Sequence, residues 1–171
     1  MIVVSGAPGT GKSTVAAALG AGLNRPVLSL DEVKETLADV LGTGDEDWSG
    51  RLGDAAAEVL FRLAPTFPQV VVEGWWRGPR RERALAVLAG ATEVFCRCDP
   101  QLAAQRMRAR LGAGRHPVHR DVINPALLDG AAGLAARVTP LGLGGALVIV
   151  DTDAPDAAAQ VPARVRAVLP G

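Results

Sequence analysis

The sequence predicts an α/β fold in which a mainly parallel sheet is covered by helices on both faces. Short runs of β-branched residues alternate with helical patterns along the whole chain, which is the pattern of parallel strands joined by crossover helices. One of these runs, at 69–72, contains three consecutive valines, as a strand buried on both faces requires. The length of 171 residues fits one sizeable core, so we expect residues 1–171 to form a single domain.

In the first half of the chain, short apolar and largely β-branched runs predict strands at 2–4, 26–30 and 69–72. Helical patterns separate them at 13–23, 32–41 and 51–63. The last of these repeats apolar residues at the three- and four-residue spacing of one helix face. Glycine and aspartate predict a loop at 42–50.

In the second half, apolar runs predict the two remaining strands at 93–98 and 146–150. The predicted helices cover 79–88, 100–111, 125–138 and 154–169. Pro79 is suited to the first turn of its helix, because its missing N–H has no partner there in any case. Glycine, proline, arginine and histidine break the pattern at 112–121.

Composition narrows the classes of function. Lysine plus arginine and aspartate plus glutamate number 18 each, so the basic surplus of a nucleic-acid-binding protein is missing and we expect no nucleic-acid partner. The chain begins without a basic, cleavable leader and has no apolar stretch of membrane-spanning length. We therefore expect no membrane partner and a cytoplasmic location. Composition does not indicate an oligomeric state.

Residues 6–13, GAPGTGKS, match the pattern G-x-x-x-x-G-K-[ST] between a predicted strand and a predicted helix. The backbone N–H groups of such a loop must approach phosphate oxygens closely, which favours glycine. The helix N-terminus adds a partial positive charge. We therefore predict a site for ATP and Mg²⁺, in which the nucleotide is bound by Gly6, Gly9, Thr10, Gly11, Lys12, Ser13 and Thr14.

Three polar side chains complete the predicted phosphate site. Lys12 is suited to reach the β- and γ-phosphates, and the Ser13 hydroxyl is suited to Mg²⁺. Glu73 follows the valine run, at the sheet edge where ligands collect in such folds, and is the second predicted Mg²⁺ ligand. The alternative for Glu73 is a turn residue that faces solvent.

Asp31 follows the second predicted strand and is the predicted catalytic base, because it would accept a proton from an acceptor hydroxyl. A second interpretation remains open. Ser29-Leu30-Asp31-Glu32 has the form of a capping box, in which Asp31 would be a first-turn acid favoured by the helix dipole.

Arginines from 106 onward form the second predicted catalytic group. Arg106 and Arg110 are four residues apart on one helix face, and Arg115 and Arg120 follow in the broken segment. Planar guanidinium groups suit the charge that spreads over a transferring phosphoryl group. The alternative is a solvated helix followed by a surface loop.

Taken together, five stretches of the chain resemble the small P-loop kinases related to zeta toxins, chloramphenicol phosphotransferase and the kinase domain of polynucleotide kinases. They are GAPGTGKST, the second predicted strand with Asp31 after it, VVVEG before an arginine-rich helix, DPQLAAQRMRAR, and VIVDTD. The resemblance implies the sheet order 2-3-1-4-5 and a LID at about 100–121. It also implies that Arg106 or Arg110 lies against adenine, that Arg110 or Arg115 reaches the γ-phosphate, and that Thr152 passes beside the base.

Two departures shape the expected function. The segment EGWWRGPR stands where nucleoside monophosphate kinases have Asp-Gly-Phe-Pro-Arg, which argues against a nucleotide acceptor, and the guanine-reading pattern of GTPases is missing. We expect a kinase that moves the γ-phosphate of ATP to a hydroxyl of a small metabolite or antibiotic. Trp75 or Trp76 is a candidate wall of the acceptor pocket; the alternative is that one of them packs under a helix and the other is half-exposed. Open alternatives are a polynucleotide 5′-hydroxyl kinase, a nucleotide-sugar kinase of the zeta-toxin type, and a non-catalytic ATP-binding switch.

Overall fold

The structure is a computed structural model and describes residues 1–169. The strands are β1 (Ile2–Gly6), β2 (Val27–Ser29), β3 (Val71–Glu73), β4 (Thr92–Arg97) and β5 (Leu147–Asp151). The α-helices are α1 (Lys12–Leu23), α2 (Leu30–Leu41), α3 (Glu46–Leu63), α4 (Pro79–Val87), α5 (Pro100–Gly112), α6 (Arg120–Ile123), α7 (Ala131–Arg137) and α8 (Ala157–Arg166). Two 3₁₀ turns cover Ala64–Thr66 and Pro125–Gly130.

The five strands form one sheet in the order β2-β3-β1-β4-β5, and every neighbouring pair is parallel. The predicted α/β class and the implied order 2-3-1-4-5 are therefore confirmed. In the central strand, Val4 is in register with Glu73 of β3 and with Val94 of β4. The carboxyl ends of all five strands meet at one edge of the sheet, which is where ligands bind in folds of this kind.

Alternating side chains of β1 enter two separate cores. Ile2 and Val4 pack with buried residues of α1 and α8 on one face of the sheet, whereas Val3 packs with residues of α3 and α4 on the other. Each of these three side chains is fully buried. A strand covered on both faces must be apolar at every position, which explains why β1 shows no alternation in its sequence.

The structure corrects two predicted boundaries. Helix α3 begins at Glu46, inside the loop expected at 42–50, because the Asp45 side chain caps it by accepting a hydrogen bond of 2.8 Å from the Trp48 N–H. The helix expected at 125–138 is divided into a 3₁₀ turn and α7. Gly130 lies at this division, where its flexible backbone weakens a regular α-helix.

The last residues of the segment 100–121, which we call the LID segment, pack against α2 and α3. Val118 is fully buried against Ala38 of α2 and Leu52 of α3. Its carbonyl oxygen accepts a hydrogen bond of 2.6 Å from Ser49. The LID segment is thus seated on α2 and α3. Among the residues that the structure describes, no helix has the length and apolar character needed to cross a bilayer.

Candidate active site

A cleft of about 560 Å³ opens at the carboxyl edge of the sheet. Its walls come from the phosphate loop, the start of α2, the segment after β3, the LID segment and the chain around α7. Seven of the predicted site residues line it, and they are Gly6, Lys12, Ser13, Asp31, Glu73, Arg110 and Arg115. The topology therefore brings together residues that are up to 109 positions apart in the sequence.

The phosphate loop has the backbone that its glycines predict. Gly9 and Gly11 have φ angles of 83° and 74°, a left-handed region that other residues adopt only with strain. A Cβ atom at Gly9 would also collide with the carbonyl oxygen of Ala103 in α5. The Thr10 hydroxyl donates a hydrogen bond of 2.8 Å to the Ala7 carbonyl and closes the turn. Helix α1 then begins at Lys12, so its free N–H groups point toward the loop.

Lys12 is the buried cation of this loop, with only 8 % of its surface exposed. Its Nζ donates a hydrogen bond of 2.9 Å to the Ala7 carbonyl. Burial lowers the pKa of Lys12, and the negative charges of Glu73 and Asp31 act in the opposite direction. A phosphate near Lys12 would add a further negative charge and stabilise its protonated form.

Glu73 is the last residue of β3 and is 4 % exposed, so it is not a turn residue that faces solvent. The Ser29 hydroxyl donates a hydrogen bond of 2.9 Å to its Oε2. Burial raises the pKa of Glu73, while nearby Lys12 lowers it. No cationic side chain of residues 1–169 forms an ion pair with this carboxylate.

The donor set fits Mg²⁺. Glu73 supplies a buried carboxylate, and the exposed Ser13 at the start of α1 supplies a hydroxyl in the same cleft. Within the described part of the chain, no group of three or more acidic, histidine or cysteine side chains is arranged to hold a metal. One carboxylate and one hydroxyl facing the same cleft suit Mg²⁺, which is usually bound through one or two carboxylates together with substrate phosphates.

Asp31 lies in the first turn of α2, and its side chain is 51 % exposed. Ser29 caps this helix by accepting a hydrogen bond from the Glu32 N–H at 3.5 Å, as the capping-box interpretation expects. Asp31 also lines the cleft, and its Oδ2 lies 3.8 Å from Nη2 of Arg115. The two interpretations are therefore compatible, because the residue that benefits from the helix dipole also faces the cleft.

The predicted arginines divide between two places. Arg115 lies between Asp31 and Asp121, with 3.0 Å separating its Nε from Oδ1 of Asp121, and Arg110 lines the cleft. Arg106 instead donates hydrogen bonds of 2.9 and 3.3 Å to the carbonyl and hydroxyl oxygens of Thr152. The resemblance implies that Arg106 or Arg110, and also Thr152, lie beside the base. In the structure it is Arg106 that contacts Thr152.

Thr10 and Gly11, two of the remaining predicted nucleotide ligands, lie beside the same turn. The Thr152 hydroxyl donates a hydrogen bond of 3.0 Å to the Thr10 carbonyl, and a Cβ atom at Gly11 would lie 3.5 Å from the Thr152 side chain. Thr14 is exposed on α1. The contacts of Thr152 with Thr10 and Gly11 connect the end of β5 to the phosphate loop.

Sequence reasoning missed Lys34 as a residue of the cleft. Lys34 lies one helical turn after Asp31, is 8 % exposed, and its Nζ donates a hydrogen bond of 2.8 Å to Ser49. Burial lowers its pKa to about 8, an effect opposed by Asp31 and reinforced by neighbouring arginines. Lys34 follows Asp31 by three residues, a spacing that places both on one face of a helix. This spacing could have indicated that Lys34 faces the same cleft as Asp31.

Both tryptophans after β3 line the cleft. Trp76 is buried and packs on Phe61 with 5.3 Å between ring centroids, whereas half-buried Trp75 lies under the guanidinium of Arg77 at 4.7 Å. Trp76 therefore also belongs to the core on that face of the sheet.

Glu93 is a buried carboxylate that no sequence pattern indicated. It accepts a hydrogen bond of 2.5 Å from Ser5 of β1, and it also accepts hydrogen bonds from the backbone N–H groups of Leu141 and Gly142 at 2.7 and 3.0 Å. Leu141 lines the cleft. Glu93 thus fixes one wall of the cleft to the centre of the sheet.

Comparisons with known proteins agree with this geometry. The family described as AAA domain matches residues 1–127, and no curated protein matches the chain. A crystal structure of a candidate kinase from Chloroflexus aurantiacus J-10-fl is 33% identical, with a TM-score of 0.85, and the alignment covers 99% of this chain and 97% of that one.

Two further structures share the fold at 21% identity. Shikimate kinase from Acinetobacter baumannii, in complex with shikimate, has a TM-score of 0.63 over 96% of this chain and 89% of its own. A gluconokinase from Sinorhizobium meliloti 1021 has a TM-score of 0.54 over 96% and 91%. With its phosphate loop, parallel sheet and family match over most of its length, the chain belongs to the AAA domain family of P-loop proteins.

Proposed function

We propose that this protein is an ATP-dependent kinase that transfers the γ-phosphate to a hydroxyl group of a small molecule. The observation that carries the proposal is that the phosphate loop, a buried carboxylate at Glu73, and the pair Asp31–Arg115 line one cleft. A nucleotide-binding switch needs the first two features. It has no need for a half-exposed carboxylate that faces the same space.

Each side chain of the cleft has a role in this reaction. Lys12 binds the β- and γ-phosphates, and Arg110 and Arg115 bind the transferring group. Asp31 accepts the proton of the acceptor hydroxyl as its oxygen bonds to the γ-phosphorus and the bond to the ADP oxygen breaks. Mg²⁺ held near Ser13 and Glu73 would offset negative charge on the phosphates. Arg106 and Thr152 are proposed to lie beside the base, with Gly6, Gly9, Thr10, Gly11 and Thr14 around the phosphates.

The comparisons support a small-molecule acceptor. The relative at 33% identity carries the name of a kinase, and the structures that share the fold include a shikimate kinase and a gluconokinase. The narrower grouping with zeta toxins, chloramphenicol phosphotransferase and polynucleotide kinases is a proposal that rests on the sequence stretches given above. A cytoplasmic location is likewise a proposal, supported by two cysteines that form no disulfide.

The proposal is tested by incubating the protein with γ-labelled ATP, Mg²⁺ and three separate acceptor pools, namely metabolites, hydroxylated antibiotics and single-stranded oligonucleotides. Label in a small molecule, lost in the Lys12→Ala variant, is the expected result. Label on oligonucleotides would identify a polynucleotide kinase instead. Release of phosphate without label in any pool, at a rate that responds to a protein partner, would indicate a switch.

A further inference from the structure

The cleft carries a net positive charge, whereas the chain as a whole has a formal net charge of zero. The chain carries 18 cationic and 18 anionic side chains, whereas the cleft is lined by nine lysines and arginines and by three carboxylates. Positive charge is therefore concentrated in the cleft of a protein whose formal net charge is zero, which favours an anionic ligand there.

Three of these cations are already neutralised by ion pairs. Arg80 pairs with Asp54 at 2.5 Å, Arg115 pairs with Asp121, and Arg120 pairs with Glu46. The other six have no ion-pair partner among residues 1–169, and they are Lys12, Lys34, Arg77, Arg81, Arg110 and Arg137.

The nucleotide does not account for all six. In the proposed function, Lys12 and Arg110 bind the phosphates of ATP. Arg77 and Arg81 follow β3 and begin α4, and Arg137 ends α7, so these three enter the cleft from elements outside the phosphate loop and the LID segment. Lys34 enters from α2, one turn beyond Asp31.

The position of the Lys34 side chain is fixed by burial and by a hydrogen bond. It is buried, and Ser49 both accepts its hydrogen bond at 2.8 Å and donates one to the carbonyl of Val118 at 2.6 Å. An ammonium group has three donor hydrogens, so two remain for a ligand. Lys34 forms no ion pair within residues 1–169; burying a cation in this way is costly, and an anion bound in the cleft would reduce that cost.

We propose that the phosphate acceptor is itself an anion: a small hydroxylated molecule whose carboxylate or phosphate group is bound by Lys34 together with Arg77. This inference rests on the proposed kinase function and adds the chemical class of its substrate. The acceptor hydroxyl lies toward Asp31, and the anionic group lies toward Lys34 on the same face of α2. A neutral sugar or a cationic aminoglycoside would leave these cations uncompensated.

The test uses a small-molecule extract of the source organism, divided by anion-exchange chromatography into an anionic fraction and a neutral-plus-cationic fraction. Each is incubated with the full-length protein, Mg²⁺ and γ-labelled ATP. Label transfer confined to the anionic fraction is the expected result. Phosphatase treatment of that fraction before the assay, followed by removal of the phosphatase, distinguishes a phosphate ester, which is lost as an acceptor, from a carboxylate, which remains.

Label transfer only in the neutral-plus-cationic fraction would overturn the inference and leave the kinase function intact. Transfer in neither fraction, by protein that binds ATP in calorimetry, would overturn the proposed function and the inference with it. The two failures are therefore distinguishable.

Two variants test the assigned side chains. At a limiting amount of the anionic fraction, Lys34→Met and Arg77→Gln should each lower the initial rate about tenfold, the size expected from losing one charge-assisted hydrogen bond, while ATP affinity is unchanged. Arg77→Gln removes no hydrogen bond between α2 and α3, so it tests the inference even where Lys34→Met folds poorly. Arg62→Gln, on the exposed end of α3, is the matched control. Unchanged rates in both test variants would contradict the inference.

Discussion

Oδ2 of Asp31 lies 3.8 Å from Nη2 of Arg115, so the proposed catalytic base and a proposed phosphoryl-binding arginine are in contact across the cleft. The same guanidinium bonds to Asp121. The start of α2 and the end of the LID segment are therefore linked by charge at the place where the acceptor hydroxyl and the γ-phosphate would meet.

Asp31→Asn keeps the shape of the side chain and removes its ability to accept a proton. We expect kcat to fall about 10²–10⁴-fold, the usual contribution of a general base, with little change in the affinity for ATP. Steady-state assays of ADP formation, with ATP binding measured by calorimetry, check this. Glu32→Gln, on the next position of the same helix, is the control. An unchanged kcat in Asp31→Asn would remove Asp31 from the catalytic role.

Lys12→Ala removes the buried cation of the phosphate loop. We expect kcat/KM for ATP to fall about 10³-fold, because a preorganised donor to the transferring phosphates is lost. The fold should persist, since burial already disfavours the charged form of this lysine, and circular dichroism with thermal melting checks this point. Arg62→Ala should leave the rate unchanged. A Lys12→Ala variant that turns over normally would place the phosphates elsewhere.

Glu73→Gln tests the metal site. Glutamine can still accept the hydrogen bond from Ser29 but lacks the negative charge that attracts Mg²⁺. We expect the Mg²⁺ concentration for half-maximal activity to rise about tenfold, with an unchanged or higher melting temperature, because burial raises the pKa of this carboxyl and disfavours its charged form. A Mg²⁺ titration that matches wild type would exclude Glu73 as a metal-binding group. Glu82→Gln, exposed on α4, is the control.

Glu93→Ala should reduce the free energy of unfolding by about 3 kcal/mol. It leaves the Ser5 hydroxyl and the N–H groups of Leu141 and Gly142 without their acceptor inside the protein, and each such group is costly. Urea denaturation measures the loss. Glu82→Ala should change stability by less than about 1 kcal/mol. Equal effects of the two changes would show that Glu93 does not anchor the 141–142 loop.

The pKa of Lys34, about 8 in the folded protein, predicts a pH dependence of acceptor binding. The ammonium is charged below this pH and neutral above it, so an anionic acceptor should bind more weakly as pH rises. At limiting acceptor, we expect the rate to fall about tenfold between about pH 7 and pH 9. The fall should be absent in Lys34→Met. A wild-type profile that is flat, or the same in both proteins, would contradict this role.

Much of the fold followed from local patterns. The sheet edge where Lys12, Asp31 and Glu73 meet was expected, because a parallel sheet brings the ends of distant strands together. The six cations of the cleft that have no ion-pair partner among residues 1–169 were not expected as a group. Lys34 is bonded to Ser49, and Ser49 is bonded in turn to the carbonyl of Val118, a residue 84 positions after Lys34. The anchoring role of Glu93 likewise depends on contacts 48 residues or more away in sequence.

The contact between Gly9 and Ala103 has a mechanical consequence. Because no side chain fits between the phosphate loop and the Ala103 carbonyl, the loop and the first turn of α5 pack backbone against backbone. Arg106, in the next turn, is tied to Thr152. The start of α5 is therefore held at Gly9 and at Thr152, while Val118 holds the other end of the LID segment between α2 and α3, so Arg110 and Arg115 lie on a stretch that is fixed at both ends.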